Sequence, residues 1–362
     1  MISIDTSQTQ VFPPEPKGRK LRELLTHLHG DDYLLVVDNS AIETFTTCNR
    51  YAYHYLVHAR EGHARNAALT FGGAIHVGLE HIERDEGREA WSETDTAKYV
   101  VQYFQDNPTP TDEYRNPVTA LEVLAAYRER RKLPDYQWEV VSDNQGPLIE
   151  RPFEIPLGVL EVNSEIHLPH WENARFVGKV HVAWAGRIDE VVHVHNLNRV
   201  ADHKTTSIAG DQFTGDFHLN NASIGYVWAG QQLWPEKNIS GFCLNAIHLR
   251  KPIAGVPLTS PGPRGGKPAL DFFRAYFDYS QERINAWEDN AMTLVEDFLT
   301  CLVREQERGA GRGFPMHTKW CFNKYGKCQF HDVCTVDQHE ARMRLLHSEM
   351  YKNVTWDPTL ER

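Results

Sequence analysis

Three charged side chains, Asp189, Asp202 and Lys204, set into two runs rich in apolar residues constrain this chain more than any other feature. The runs are Val177 to Val194 and Arg199 to Lys204, rich in Val, Ile and aromatic residues with stretches of two-residue alternation, the pattern of β-strands. The first carries Gly186-Arg187-Ile188-Asp189, and the second runs into Asp202-His203-Lys204-Thr205-Thr206. His195-Asn196-Leu197-Asn198 reads as the turn between them. Asp202 and Lys204 stand at i and i+2, so both side chains leave the same face of their strand. A twisted antiparallel pairing brings Asp189 beside Asp202. Two carboxylates and one ammonium then converge on one spot.

That convergence suits phosphodiester cleavage. Carboxylate oxygens are preferred ligands of Mg²⁺ and Mn²⁺. A metal held there polarises a phosphate, lowers the pKa of a bound water and stabilises the leaving oxygen. Lys204 could orient the water and neutralise charge that develops in the transition state. The backbone carbonyl of His203 could supply one more oxygen. A lone Asp-X-Lys means no more than ordinary surface charge. Here an apolar strand leads into it and a Gly-Arg-Ile-Asp lies upstream. Glu150 and Glu165, on strands expected earlier in the chain, could each add a carboxylate, and surface charge is the plainer account of Glu165.

Helices frame these strands. Residues 1 to 14 read as a loose leader and 17 to 29 as a short helix. Ser40-Ala41-Ile42-Glu43 reads as a capping box, opening a helix with Phe45, Cys48, Tyr51 and Tyr55 at helical spacing. A second helix is expected to begin near Gly72-Gly73 and to carry His76 and Leu79. Residues 92 to 133 read as two helices, the second opened by Thr119 with Glu122 three residues on. Strands are expected over Trp138 to Val141, Leu148 to Ile155 and Gly241 to Leu249, with a helix over Ala222 to Leu233 before the last. Prolines and glycines make 253 to 268 a loop, and 269 to 307 reads as helix, ended by Gly309 and Gly311. The order implies an α/β fold, a central mixed β-sheet flanked by helices with helical segments at both ends. The expected parts are a leader over 1–36, an N-terminal helical part over 37–136, a core over 137–252 and a C-terminal helical part over 253–362.

The cysteines carry a second signal. Of 6, three (Cys321, Cys328 and Cys334) fall within 14 residues at C-x6-C-x5-C spacing. Clustered cysteines in a reducing compartment read as metal ligands. Zinc sites usually pair cysteines at C-x2-4-C, closer than here, though His317 or His331 could complete a Cys3His zinc site. Cys243, in an apolar strand, and Cys301, on an amphipathic helix, read as buried thiols without a metal.

Composition narrows the classes. A chain of 362 residues that is 41 % apolar can bury a large core. No stretch reaches the roughly 18 consecutive apolar residues of a membrane span. The first residues lack the basic start and apolar run of a secretory signal, so an intracellular, cytoplasmic protein is expected. A net charge of −11 weighs against a uniformly basic nucleic-acid binder but leaves room for a local basic groove. There is no G-x-x-x-x-G-K-[ST] motif and hence no recognisable helicase motor.

Taken in order, these pieces resemble the RecB-like branch of the PD-(D/E)XK nucleases, especially CRISPR-associated exonucleases and phage nucleases with a four-cysteine [4Fe-4S] cluster. The resemblance runs from about residue 38 to about residue 336. It implies that Asp189 is the first metal-binding aspartate, that Asp202 and Lys204 are the (D/E)XK pair, and that His76, in Phe71-Gly72-Gly73-Ala74-Ile75-His76, approaches the metal. It makes Cys48 the first cluster cysteine and Cys321, Cys328 and Cys334 the others, stapling the two ends of the chain, with zinc as the rival metal. Tyr226 matches the tyrosine of a Gln-x-x-x-Tyr helix that touches DNA, but Ala222 stands where the Gln belongs. Asn221 or Ser223 could take its part. The implied function is a Mg²⁺- or Mn²⁺-dependent exonuclease on single-stranded or unwound DNA ends, in recombination, repair or DNA processing in a bacterial or phage setting. A partner nuclease, helicase or recombination protein would fit such work. The alternative is a catalytically weak DNA-binding or scaffold subunit. Arg187, Lys204, Arg250 and Lys251 near the core are candidate phosphate contacts. So are Arg312, Lys319, Lys324 and Lys327, which are interleaved with Trp320, Phe322 and Tyr325 that could stack on bases.

Overall fold

A computed structural model describes residues 3–5, 25–29, 32–62, 67–84, 93–110, 112–162, 178–208, 210–262, 265–323 and 326–353. The expected leader up to residue 14 lies outside them except for Ser3–Asp5, as do Glu165, Lys324 and Tyr325. The chain forms two compact units, each assembled from separated segments. One comprises Met1–His63, Pro152–Gly186 and Asn285–Leu360. The other comprises Ala64–Arg151, Arg187–Ile284 and Glu361–Arg362. No helix among the described residues is long and apolar enough to cross a membrane.

The second unit holds a mixed sheet. Strand Leu197–Thr206 pairs antiparallel with the end of strand Gly178–Val194, Leu197 opposite Val194 and Ala201 opposite Glu190. The turn is His195-Asn196, both at positive φ (52° and 62°), the backbone that closes a two-residue hairpin. On its other side Leu197–Thr206 runs parallel to Ile239–Leu249, with Asp202 opposite Leu244 and His203 opposite Asn245. A parallel neighbour needs a crossover, and helix Asn221–Leu233 lies within it. Leu270–Asp278 then pairs antiparallel with Ile239–Leu249. Helices Ala67–Arg84, Glu93–Asp106 and Pro117–Arg131 bury Phe71, Ile75, Leu79, Val100, Val123, Leu124 and Tyr127 against Ile247, Leu249, Leu270 and Phe272.

The first unit has its own pairing. Strand Asp32–Val37 runs parallel to residues 179–184, Val37 opposite Trp184, and antiparallel to Leu25–His29. Helix Asn39–Thr47 follows, then Asn49–Ala52, which passes into a π-helical turn over Tyr53–Val57. From this unit's C-terminal segment come most of helix Gln281–Arg308, the hairpin of Phe322–Asn323 with Gly326–Lys327, and helices His331–Cys334 and His339–Leu346. Gly309, at φ 61°, closes the long helix in the left-handed conformation typical of a helix end.

Several local expectations are corrected. The 269–307 helix begins only at Gln281, because Leu270–Asp278 is taken by the sheet as the partner of an apolar strand. Leu25–His29 is a strand rather than the end of a helix, its backbone paired with Asp32–Val37. Asp38, not Ser40, caps its helix by accepting from the Ala41 amide at 2.7 Å. Asn116 replaces Thr119 as cap, accepting from the Thr119 amide at 3.0 Å with Pro117 in the first turn. Gly72 and Gly73 lie inside the His76 helix rather than at its start. A Cβ on Gly73 would meet the Tyr103 hydroxyl at 2.1 Å, so the glycine admits the neighbouring helix.

Candidate active site

All the residues of the expected catalytic group lie in the second unit, where the Asp189 and Asp202 strands part after pairing as far as Glu190 and Ala201. Asp189 Oδ2 accepts from the backbone amide of His203 at 3.1 Å, which fixes the aspartate to the neighbouring strand. His76 comes from helix Ala67–Arg84, its Nδ1 3.2 Å from the same Oδ2. Glu150 completes the group: ligand atoms of His76, Glu150 and Asp189 all lie within 4.8 Å of one another, and all three residues are buried. Glu150 sits at φ 48°, a conformation that costs a residue with a Cβ on the order of 1 kcal/mol or more and collects at functional sites. The kink turns its carboxylate toward the other donors. Arg187 braces it, donating Nη1 to the Glu150 carbonyl at 2.7 Å with Nε 3.7 Å from Oε2. Arg187 is therefore buried against a site carboxylate.

Asp202 and Lys204 share a face as the two-residue period requires, joined at 2.7 Å. The carboxylate is buried, while the lysine side chain is 44 % exposed. Burial first, and then the Asp189 carboxylate, push the Asp202 carboxyl up to about 6 against the pull of Lys204. The site is short of positive charge. Two or three carboxylates and an imidazole nitrogen around one point are a donor set that suits Mn²⁺ or Mg²⁺. A carboxyl protonated below about pH 6 must release its proton before it can ligate. Mn²⁺ affinity should therefore rise between about pH 5 and about pH 7.5, with proton release. The sign for stability is opposite. A pKa raised from 3.8 to about 6 means that the metal-free protein loses stability as pH climbs from about 4 to about 6 and holds level above that. Titration calorimetry in two buffers of different ionisation heat reads the released proton, and an affinity flat across the range would contradict this account.

Tyr226 stands half-buried on helix Asn221–Leu233. Ser223 is turned inward, its hydroxyl bonded to the Phe217 carbonyl and the Tyr279 hydroxyl, so it does not replace the missing Gln. Asn221 and Ala222 are half-buried. Among the expected phosphate contacts, Lys251 is paired with Glu113, Lys327 with Asp332, and Arg250 reaches the Pro268 carbonyl. Lys319 is exposed beside Trp320, 45 % exposed, and Phe322, 65 % exposed.

The four expected cluster cysteines converge in the first unit. The hairpin brings the Cys328 amide to the Cys321 carbonyl at 2.9 Å, and Cys334 ends the helix that follows. Cys48 Sγ accepts from the His317 amide at 3.4 Å. Burial pushes the Cys334 thiol up to about 11, opposed by Arg50 and reinforced by Cys328, Cys48 and Cys321, so the four sulfurs act on one another. Phe330, Val333, Leu346, Tyr351, Tyr51 and Tyr55 pack about Cys328 and Cys334. His54, fully buried on the π-helical turn, places Nε2 3.7 Å from Cys334 Sγ. Cys243 and Cys301 are buried, as expected of structural thiols.

Sequence reading left Glu150 open and did not single out Glu83, Glu190 or Asn245, which pack beside His203. Their one visible mark is a polar residue inside an apolar pattern, such as Asn245 within Phe-Cys-Leu-Asn-Ala-Ile-His-Leu.

Comparison with known proteins bears on this geometry. The family model of the PD-(D/E)XK nuclease superfamily matches residues 39–335. Among solved structures, the chain is similar to a protein from Eubacterium rectale described as a candidate exonuclease. That match has 10 % identity and a TM-score of 0.42, covering 83 % of this chain and 87 % of that one. No curated protein gives a significant match.

Proposed function

The chain belongs to the PD-(D/E)XK nuclease superfamily, and from that premise we propose that it is a metal-dependent deoxyribonuclease, an exonuclease acting on single-stranded or unwound ends. The observation that carries the reading is the buried meeting of His76, Glu150 and Asp189 beside the Asp202–Lys204 pair. His76, Glu150, Asp189 and Asp202 would hold Mg²⁺ or Mn²⁺, with the His203 carbonyl as a further donor. The metal supplies a Lewis acid and an acidified water when bound. The chain's own residues do the rest. Lys204 orients the attacking water and offsets charge building on the phosphate. Arg187 keeps Glu150 in place. Tyr226 lies on the crossover helix as the nearest match to the family's DNA-touching tyrosine. Lys319, Trp320 and Phe322 offer exposed charge and ring faces for a single strand.

Cys48, Cys321, Cys328 and Cys334 would ligate a [4Fe-4S] cluster with a structural role. Their convergence and the apolar packing about Cys328 and Cys334 support this reading. The C-x6-C-x5-C spacing, wider than the C-x2-4-C pairs usual at zinc, favours it over zinc.

The test is anaerobically purified protein on end-labelled single- and double-stranded DNA with Mn²⁺, Mg²⁺ or EDTA. Degradation that needs metal and starts from an end supports the proposal. DNA that is bound but left intact under every condition would sink it in favour of a binding or scaffold subunit.

A further inference from the structure

A chain of buried polar groups runs behind the site on the side of the sheet away from Lys204. Asn245 is fully buried and its amide is saturated. Nδ2 donates to His203 Nδ1 at 2.8 Å and to the Tyr127 hydroxyl at 3.2 Å. Oδ1 accepts from the Tyr136 hydroxyl at 2.5 Å and from Arg274 Nε at 3.4 Å. Because Nδ1 of His203 accepts, the ring proton is on Nε2, which faces Glu190 Oε2 at 3.4 Å. The Tyr127 hydroxyl donates onward to Glu83 at 2.9 Å. Glu83 is clamped by Arg131 at 2.9 and 2.8 Å and approached by Trp138 Nε1 at 3.4 Å. Every donor thus has a defined direction, outward from Asn245 through Tyr127 to Glu83 and through His203 toward Glu190.

The ends of this chain matter. His203 lies between Asp202 and Lys204, and its backbone amide holds Asp189. Glu83 stands seven residues after His76 on the same helix, two turns along and on the same face. The helix is therefore tied to this strand pair twice, once through His76 to Asp189 and once through Glu83, Tyr127 and Asn245 to His203. A single tie allows the helix to pivot, whereas two fix its distance and rotation.

We propose that the Glu83–Tyr127–Asn245–His203 relay is a positioning device, setting how far the His76 helix stands from Asp189 and so how tightly the site binds its divalent ion. The inference rests on the metal-nuclease reading. Groups that orient metal ligands from behind typically change metal affinity by about 10- to 100-fold when removed.

The test measures Mn²⁺ affinity by electron paramagnetic resonance and calorimetry, together with kcat on labelled DNA over a range of Mn²⁺. Tyr127→Phe removes one hydroxyl and leaves the shape, and Asn245→Ala removes the hub. Both should weaken Mn²⁺ binding about 10-fold or more, and excess Mn²⁺ should restore kcat to Tyr127→Phe. If Asn245→Ala fails to fold, Tyr127→Phe decides alone. Wild-type Mn²⁺ affinity in a folded Tyr127→Phe, even with lowered thermal stability, would overturn the proposal and leave the relay as packing. Wild-type protein that binds no Mn²⁺ would instead overturn the nuclease reading beneath it.

Discussion

Asp202→Ala should cut metal-dependent DNA cleavage by at least about 10³-fold while leaving metal-free DNA binding intact, because in the proposed mechanism it removes a metal ligand and the anchor of Lys204 together. The carboxylate is buried and joined to Lys204 at 2.7 Å. Without it the ammonium, already 44 % exposed, swings into water. The fold should survive, since the alanine removes a desolvated carboxyl already pushed up to about 6. Lys204→Met should be milder, on the order of 10²- to 10³-fold in kcat, because the metal donors remain. Single-turnover cleavage at saturating Mn²⁺ separates the two. An Asp202→Ala protein that cleaves at the wild-type rate would remove this residue from the mechanism.

Cys328→Ser should abolish iron–sulfur absorbance and lower the stability of the unit that holds it by roughly 5.6 kcal/mol. That figure follows from cross-link entropy for the loop from Cys48 to Cys321, 321 − 48 = 273 residues. Cys243→Ser and Cys301→Ser should leave iron content unchanged, since both thiols are buried and neither belongs to the proposed ligand set. Iron and sulfide analysis with denaturant melts of the anaerobic protein checks both points. Stoichiometric zinc with no iron in the purified protein would refute the cluster.

Asp189, Asp202 and Lys204 were legible in the sequence because a strand's period of two dictates which side chains share a face. No such rule singles out Glu150. Its carboxylate reaches the site through a backbone kink at φ 48°, which no periodicity announces. Leu270–Asp278 was misread for a related reason. Phe273 and Phe277 suit a helix as well as a strand, and the backbone of Ile239–Leu249 decides between them. The cap at Asn116 was hidden by a nearby Thr119–Glu122 pair that fits a capping box equally well, until Pro117 sets the first turn. Asn245 illustrates a different limit: a lone amide in an apolar strand signals a buried partner but not which one.

The interleaving of the two units imposes an order on biosynthesis. As the chain emerges N-terminus first, the segments 64–151 and 187–284 that build the His76–Glu150–Asp189 group are complete before the last piece of the other unit, 285–360, has been made. Cys48 therefore waits through most of translation for the three cysteines that close around it. The long-range pairings of this unit are a slow step reserved for the end of synthesis. A ribosome stalled before residue 321 would have made every segment of the His76–Glu150–Asp189 group while the final segment of the other unit was still unfinished.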